Sequence, residues 1–224
     1  MGALSEPFDL MGGLDPQAAS DLVAGLQSWD VEPGEEIDLR DDDAAILVSQ
    51  GRLSFLVEAD ADAQERTVTF IDSGELLVSP PTGWGDEISR ISCRAVTDSI
   101  VVPVDRRRFT AWMANPTLAA SIVRHLAAQV AERSLTAATA LEPGVERRVL
   151  LKLHQLAARY GRPSPHGTRL DMKLTHQQIA GMVGAVRESV TIALGRLHSQ
   201  GDIIVKDRTI WIPDGTTAAA DTGR

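Results

Sequence analysis

Arg187 and Glu188 stand side by side just after a glycine, in the run LTHQQIAGMVGAVRESVTIALGRLHSQGDI from Leu174 to Ile203. Their chemistry is that of hydrogen bonding, not of bond making. A guanidinium offers two donors that match the O6 and N7 acceptors of guanine, and a carboxylate accepts from the amino group of cytosine. Such a pair is useful only if a rigid element holds it outward. Val190, Leu194 and Leu197, spaced by four and three residues, predict the core-facing stripe of a helix from about Val186 to Ser199. Arg187, Glu188 and Thr191 then fall on the other side, at the helix's N-terminal end. The plain alternative is a solvated ion pair on an ordinary surface helix.

The flanking residues supply what such a helix needs. Thr175 followed by Gln178 is a capping-box pattern, and the helix it opens would bury Ile179, Met182 and Val183. Gly184 makes the turn between the two helices. Upstream, Val145 to Tyr160 carries Val149, Leu150, Leu153, Leu156 and Ala157 on one face, with Gly161 as its stop. RPSPHG reads as a loop, and TRLDMKL alternates Leu170, Met172 and Leu174 as a short strand. After Gly201, DIIV and TIWIP flank the turn KDR, a hairpin that would present Lys206 and Arg208 to phosphates. Together these predict a helix-turn-helix with a β-hairpin wing, whose second helix enters the DNA major groove by its N-terminal end.

The whole chain of 224 residues is acidic, with a formal net charge of −9. The acidity is uneven. Residues 1–141 carry 23 Asp and Glu against 10 Lys and Arg, a net of −13, whereas residues 142–224 carry 8 against 12, a net of +4. A polyanion is drawn to the latter part. No apolar run approaches the ~20 residues of a membrane span. The N-terminal residues show no signal-peptide pattern, and Glu6 stands where myristoylation wants Ser or Thr. The expected location is cytoplasmic. A single cysteine, Cys93, excludes an internal disulfide and a four-cysteine metal site within one chain.

Before residue 142 the texture differs. Residues 16–29 read as a short amphipathic helix through Ala18, Leu22, Leu26 and Trp29. From Val31 to Val104 short β-rich runs alternate with turn-formers, which predicts an antiparallel sandwich or roll. After Asn115-Pro116 a long helix follows, with Leu118, Ile122, His125, Leu126, Gln129 and Arg133 near helical spacing. A helix of ~25 residues spans ~37 Å, long for a small sheet, so this stripe is expected to pair with its copy in a homodimer. Glu142-Pro143-Gly144 is the expected hinge. The α+β organisation is thus a roll over 1–114, a dimerisation helix over 115–141, a winged helix-turn-helix over 142–215 and a frayed tail over 216–224.

Region 170–213 resembles the winged helix of the CRP/FNR regulators, the cyclic-AMP receptor protein and its relatives. Their pattern is met by Thr175, Gln178, Ile179-Ala180, Gly184 and Arg187-Glu188-Ser189-Val190. Pro33-Gly34, QGRLSFL and the helix after Asn115-Pro116 fit the same family. The resemblance implies a sequence-specific transcription regulator, not an enzyme, with a cyclic-nucleotide-binding-like β-roll. The partners it implies are double-stranded DNA, a second copy of the chain and RNA polymerase. It assigns DNA contacts to Thr175, His176, Gln177, Arg187, Glu188, Ser189 and Thr191, beside Lys206 and Arg208 of the wing. Ile192 stands where many relatives place a polar base reader.

Cyclic-nucleotide members hold the ligand phosphate with a Gly-Glu-Leu stretch and, about eleven residues later, an Arg-Ser or Arg-Thr pair. Gly74-Glu75-Leu76 is tempting, but Gly74 better matches an earlier glycine turn of the family. An ungapped match puts Val78-Ser79-Pro80 at the cradle and Ser89-Arg90 at the pair. Pro80 lacks an N–H, and Val78 disfavours the positive φ that glycine supplies. Ala137 and Ala138 replace hydroxyls near the adenine position. Control by cyclic AMP is therefore not the expectation, and Ser79, Ser89, Arg90 and Arg133 are what remains of an effector pocket. No cofactor or metal is expected; Cys93 and His125 are the candidate haem ligands, and packing is their plainer role. The rivals are a regulator with a variant cyclic-nucleotide pocket and a winged helix that docks protein. No zinc, Walker, nucleophile-elbow or Rossmann motif supports an enzyme, and Asp41–Asp43 reads as a solvated turn.

Overall fold

Four consecutive buried residues, Ala45 to Val48, belong to a strand covered on both sides. Side chains alternate across a strand, so Ala45 and Leu47 serve one core while Ile46 and Val48 serve another. The computed structural model describes residues 9–10, 14–37, 43–59, 64–78 and 88–216. It divides into two compact units, one over residues 4–132 and one from residue 133 onward.

The N-terminal unit contains α1 (Pro16–Val23), β1 (Trp29–Val31), β2 (Glu36–Ile37), β3 (Asp43–Gln50), β4 (Arg52–Ala59), β5 (Gln64–Asp72), β6 (Leu76–Val78), β7 (Ile88–Ala95), β8 (Ser99–Asp105), α2 (Arg106–Ala114) and the first part of α3 (Pro116–Ala140). Two sheets, ordered β1-β8-β3-β6 and β2-β7-β4-β5, are built from antiparallel pairs. Ile46, Val48, Leu53, Ile71, Cys93 and Val101 fill the space between them. The other side of the first sheet packs on the helices through Leu22, Leu47, Leu76, Trp112, Leu118 and Ile122. The expected roll is present.

The helix expected over residues 16–29 ends at Val23. Gly25 turns the chain with φ +72°, and Trp29 pairs with Val101 as a strand residue. The break at Asn115-Pro116 has a clear cause. Asn115 Oδ1 accepts from the N–H groups of Thr117 and Leu118, and Pro116 takes the first helical position, where no N–H is needed.

The stripe on α3 expected to meet a second copy is turned into the unit's own core. Leu118, Ile122, His125 and Gln129 are all buried, and Leu126 is half-buried against the same cluster. The two polar members have a specific task. β6 is the last strand of its sheet, and its outer edge at Leu76 faces α3. His125 Nε2 accepts from the Leu76 N–H at 3.0 Å, and Gln129 Nε2 donates to the Leu76 carbonyl at 3.0 Å. A buried strand edge must find such partners. Among the exposed residues of α3, Ala120, Val123, Ala127 and Val130 follow a three-four-three spacing on another side of the helix. Arg133, the last residue of the expected stripe, is exposed.

The C-terminal unit holds the last turns of α3, then α4 (Val145–Tyr160), β9 (Gly161–Ser164), β10 (Gly167–Leu170), α5 (His176–Val183), α6 (Arg187–Gln200), β11 (Ile204–Lys206) and β12 (Thr209–Ile212). Its antiparallel sheet runs β11-β12-β10-β9. The end of α3 belongs here because α4 holds it: Lys152 Nζ donates to Thr136 Oγ1 at 3.0 Å, and Gln155 Nε2 to Thr139 Oγ1 at 2.8 Å. The Glu142-Pro143-Gly144 turn therefore lies inside this unit, with Gly144 at φ +84° before α4. RPSPHG, expected as loop, contributes β9, where edge position tolerates Pro163. The strand expected over TRLDMKL ends at Leu170. The tail beyond Thr216 lies outside the described residues.

Candidate nucleic-acid interface

α5 and α6 are set by local chemistry that the sequence announces. The Thr175 side chain accepts from the Gln178 N–H, and the Gln178 side chain accepts from the Thr175 N–H, closing the capping box. Gly184 ends α5 in the left-handed conformation, φ +61° and ψ +50°, at little cost because it lacks a Cβ. Ile179, Met182 and Val183 of α5 and Val190, Ala193, Leu194 and Leu197 of α6 are buried, beside Val149, Leu153 and Leu156 of α4. Arg148 adds a polar tie: its guanidinium donates to the carbonyls of Glu142 and Gly184.

With that stripe turned inward, Arg187, Glu188 and Thr191 are exposed on the first turns of α6, and Ser189 is half-buried. Val186 at the N-cap supplies no side-chain acceptor, so the first amides of α6 are left uncapped by it. β11 and β12 form the wing. Lys206 pairs with Thr209, and the two residues between, Asp207 and Arg208, both have positive φ, +50° and +61°. That is the twist a two-residue hairpin loop requires. Lys206 and Arg208 are exposed at its tip.

Six of the nine expected contact residues, Thr175, His176, Gln177, Arg187, Thr191 and Arg208, line one open groove of about 950 Å³ between α5, α6 and the wing. Glu188, Ser189 and Lys206 lie outside its lining. Gly195 and His198 line it too and were not anticipated; their spacing from Thr191 by four and seven residues on one helix face is the signal that marks them. Among the described residues Arg187, Lys206 and Arg208 make no ion pair, whereas Arg162 and Arg169 both engage Asp171. Three cations are thus left to an outside anion.

One expected reader has another task. The Thr191 hydroxyl donates to the Arg187 carbonyl at 3.0 Å, and His176 Nδ1 meets the same oxygen at 2.8 Å. With its proton committed, Thr191 accepts from His176 and ties the start of α5 to the reading end of α6.

The residues expected for an effector are mostly out of view. Ser79 lies outside the described residues, Ser89 and Arg90 sit in β7 without described side chains, and Arg133 is exposed on α3. Gly74-Glu75-Leu76 is well defined. Its N–H groups donate in turn to the Val48 carbonyl, the Asp72 carbonyl and His125 Nε2. Three occupied donors cannot cradle a phosphate. Cys93 is sealed between the sheets, where burial pushes its thiol up to about 12. Among the described residues no three His, Cys, Asp or Glu side chains gather as metal ligands, and no helix is long and apolar enough to cross a membrane.

A β-roll unit, a helix-turn-helix with an exposed reading end and a cationic wing define a winged-helix DNA-binding regulator. Residues 147–216 match the Crp-like helix-turn-helix domain. Over most of its length the chain is similar to CRP-like transcription regulators. It is 28% identical over 214 residues to the CRP-like cAMP-activated global transcriptional regulator of Mycobacterium tuberculosis, covering 92% of this chain and 93% of that protein. A global nitrogen regulator of Synechocystis is 29% identical over 98 residues, 44% of each chain. In fold the chain is similar to a CooA variant from Carboxydothermus hydrogenoformans, with a TM-score of 0.76 at 21% identity, covering 95% of this chain and 94% of that one. It is also similar to the c-di-GMP responsive regulator CLP of Xanthomonas campestris, with a TM-score of 0.72 at 18% identity, covering 89% and 99%.

Proposed function

We propose that the chain acts in the cytoplasm, without enzymatic activity, as a homodimer on an inverted-repeat operator. In this reading Arg187 and Glu188 read a G·C step in each half-site. The observation that carries it is the exposed, unpaired Arg187 beside Glu188 on the first turn of a helix whose other face is locked into the core. Lys206 and Arg208 hold phosphates and position the helix. Two such heads enter successive major grooves ~34 Å apart. RNA polymerase is the partner through which the bound dimer would act.

The proposed subunit contact uses the exposed stripe of α3, Ala120, Val123, Ala127 and Val130, in place of the buried one. The same spacing continues through Ser134, Ala137 and Leu141. A three-four repeat of small and branched residues suits close pairing with a second copy. The effector, where one acts, is a ligand other than cyclic AMP; Val78 and Pro80 at the cradle positions, the one disfavouring positive φ and the other lacking an N–H, support this. The name of the mycobacterial relative favours the second reading, a nucleotide held by a variant pocket.

Fluorescence titration of the intact protein against DNA selected from a random pool, with and without cyclic AMP, tests both points. Arg187→Ala should cost about 1–3 kcal/mol and relax preference at one base pair. Lys206→Ala should weaken all sequences alike and flatten the salt slope. Arg187→Ala binding like wild type would overturn the assignment, and tightening by cyclic AMP would favour the second reading.

A further inference from the structure

We propose that Ile192 reads the C5-methyl group of a thymine in each half-site, an inference that rests on the DNA-binding assignment above. Ile192 is 58% exposed on α6, among Arg187, Glu188, Thr191 and Arg196, although Val190, Ala193, Leu194 and Leu197 of the same helix are fully packed. The fold has no use for it on that face. It stands four residues after Glu188, one helical turn further along the reading edge, and its side chain leans back over that turn.

The chemistry available there is narrow. Ile192 can neither donate nor accept a hydrogen bond. Its neighbour Thr191 has already committed its hydroxyl to the Arg187 carbonyl and to His176. What a base pair offers an apolar side chain in the major groove is the thymine methyl, the one apolar group on any base edge there. The pair next to the Arg187–Glu188 step is therefore selected as T·A by van der Waals contact, and an exposed isoleucine is covered when DNA binds.

Replacing thymine by deoxyuridine removes that methyl and nothing else. Duplexes carrying the operator selected by the wild type, with each thymine changed to deoxyuridine one position at a time and symmetrically in both halves, are titrated by fluorescence anisotropy. One position should weaken wild-type binding about fourfold per half-site, or about fifteenfold for the symmetric pair. Ile192→Ala should bind the thymine and deoxyuridine duplexes alike at that position, while Ile192→Val keeps part of the difference. Wild type and Ile192→Ala responding equally at every position would overturn the inference while leaving specific binding intact. Absence of any sequence-specific binding would instead sink the parent reading, and the inference with it. Ile192 is exposed and stands outside the buried stripe of α6, and thermal melts of both variants check that the fold is kept.

Discussion

Replacing Val123 and Val130 by alanine should dissociate the proposed dimer without unfolding the subunit. These two valines are 57% and 61% exposed on α3. Complete burial of a valine is worth about 1.5 kcal/mol at the low end, so each retains roughly 0.9 kcal/mol to be gained in a contact. A two-fold axis doubles the pair, giving about 3.5 kcal/mol, or roughly 400-fold in the dissociation constant. Sedimentation velocity over a dilution series measures that change directly. Ile122→Ala is the contrasting variant. Ile122 is 0% exposed in the subunit's own core, so its truncation should cost about 2–5 kcal/mol of folding stability and shift a urea midpoint first. If Val123→Ala/Val130→Ala dissociates like wild type, while a surface change at another face of α3 disrupts the dimer, the seam is misplaced and the exposure argument fails.

His125→Leu should cost about 1–3 kcal/mol in urea unfolding, because it strands the Leu76 N–H at a covered strand edge; an unchanged midpoint would show that edge needs no acceptor. His154 carries a lowered pKa, first from burial and then from Arg147, with Asp202 opposing. Its Nε2 is buried without a partner. The folded state therefore binds fewer protons than the unfolded one, and stability should fall as pH drops below the ordinary imidazole value near 6.5. His154→Phe should flatten that slope in thermal melts at stepped pH, and an undiminished slope would move the effect to other groups. Val186→Ser should stabilise the C-terminal unit by about 1 kcal/mol in the same melts, since it gives α6 the cap acceptor it lacks.

The sequence made the C-terminal unit readable because each element there carries its own local signal. Thr175 and Gln178 close one box, Gly184 and Gly201 sit at left-handed caps, and the core stripe of α6 shows at spacing of four and three. The β-roll was readable as texture but not as pairing, because partners such as Leu47 and Leu76 are far apart in the chain. The α3 face was misassigned for a physical reason. Leu118, Ile122 and Leu126 share a stripe with His125 and Gln129, and in sequence that mixture reads as an interface between chains. A buried histidine and glutamine one turn apart are better explained by a backbone edge in want of a donor and an acceptor, and only the tertiary structure supplies Leu76 as that edge. Thr191 looked like a reader by position; its hydroxyl was spoken for by contacts four and fifteen residues away.

The departures from local preference gather on one face of the C-terminal unit. Val186 is a poor N-cap, and serine or aspartate would hold α6 better. Gly195 sits in the middle of α6 with open space where a Cβ would go, at about 1 kcal/mol of helix propensity. Ile192 is exposed, and Asp207 and Arg208 take left-handed conformations that glycine or asparagine would take more easily. Each choice weakens the isolated fold slightly. Elsewhere in the unit the capping box, the glycine caps and the core stripes all agree with the structure they specify. Capping, helix-propensity and turn choices that go against local preference and cluster along α6 and its wing point to contacts that this face makes with something outside the chain. The cations on that same face, Arg187, Lys206 and Arg208, give the outside partner its sign, and the open groove that Arg187 and Arg208 line gives it a place between helix and hairpin.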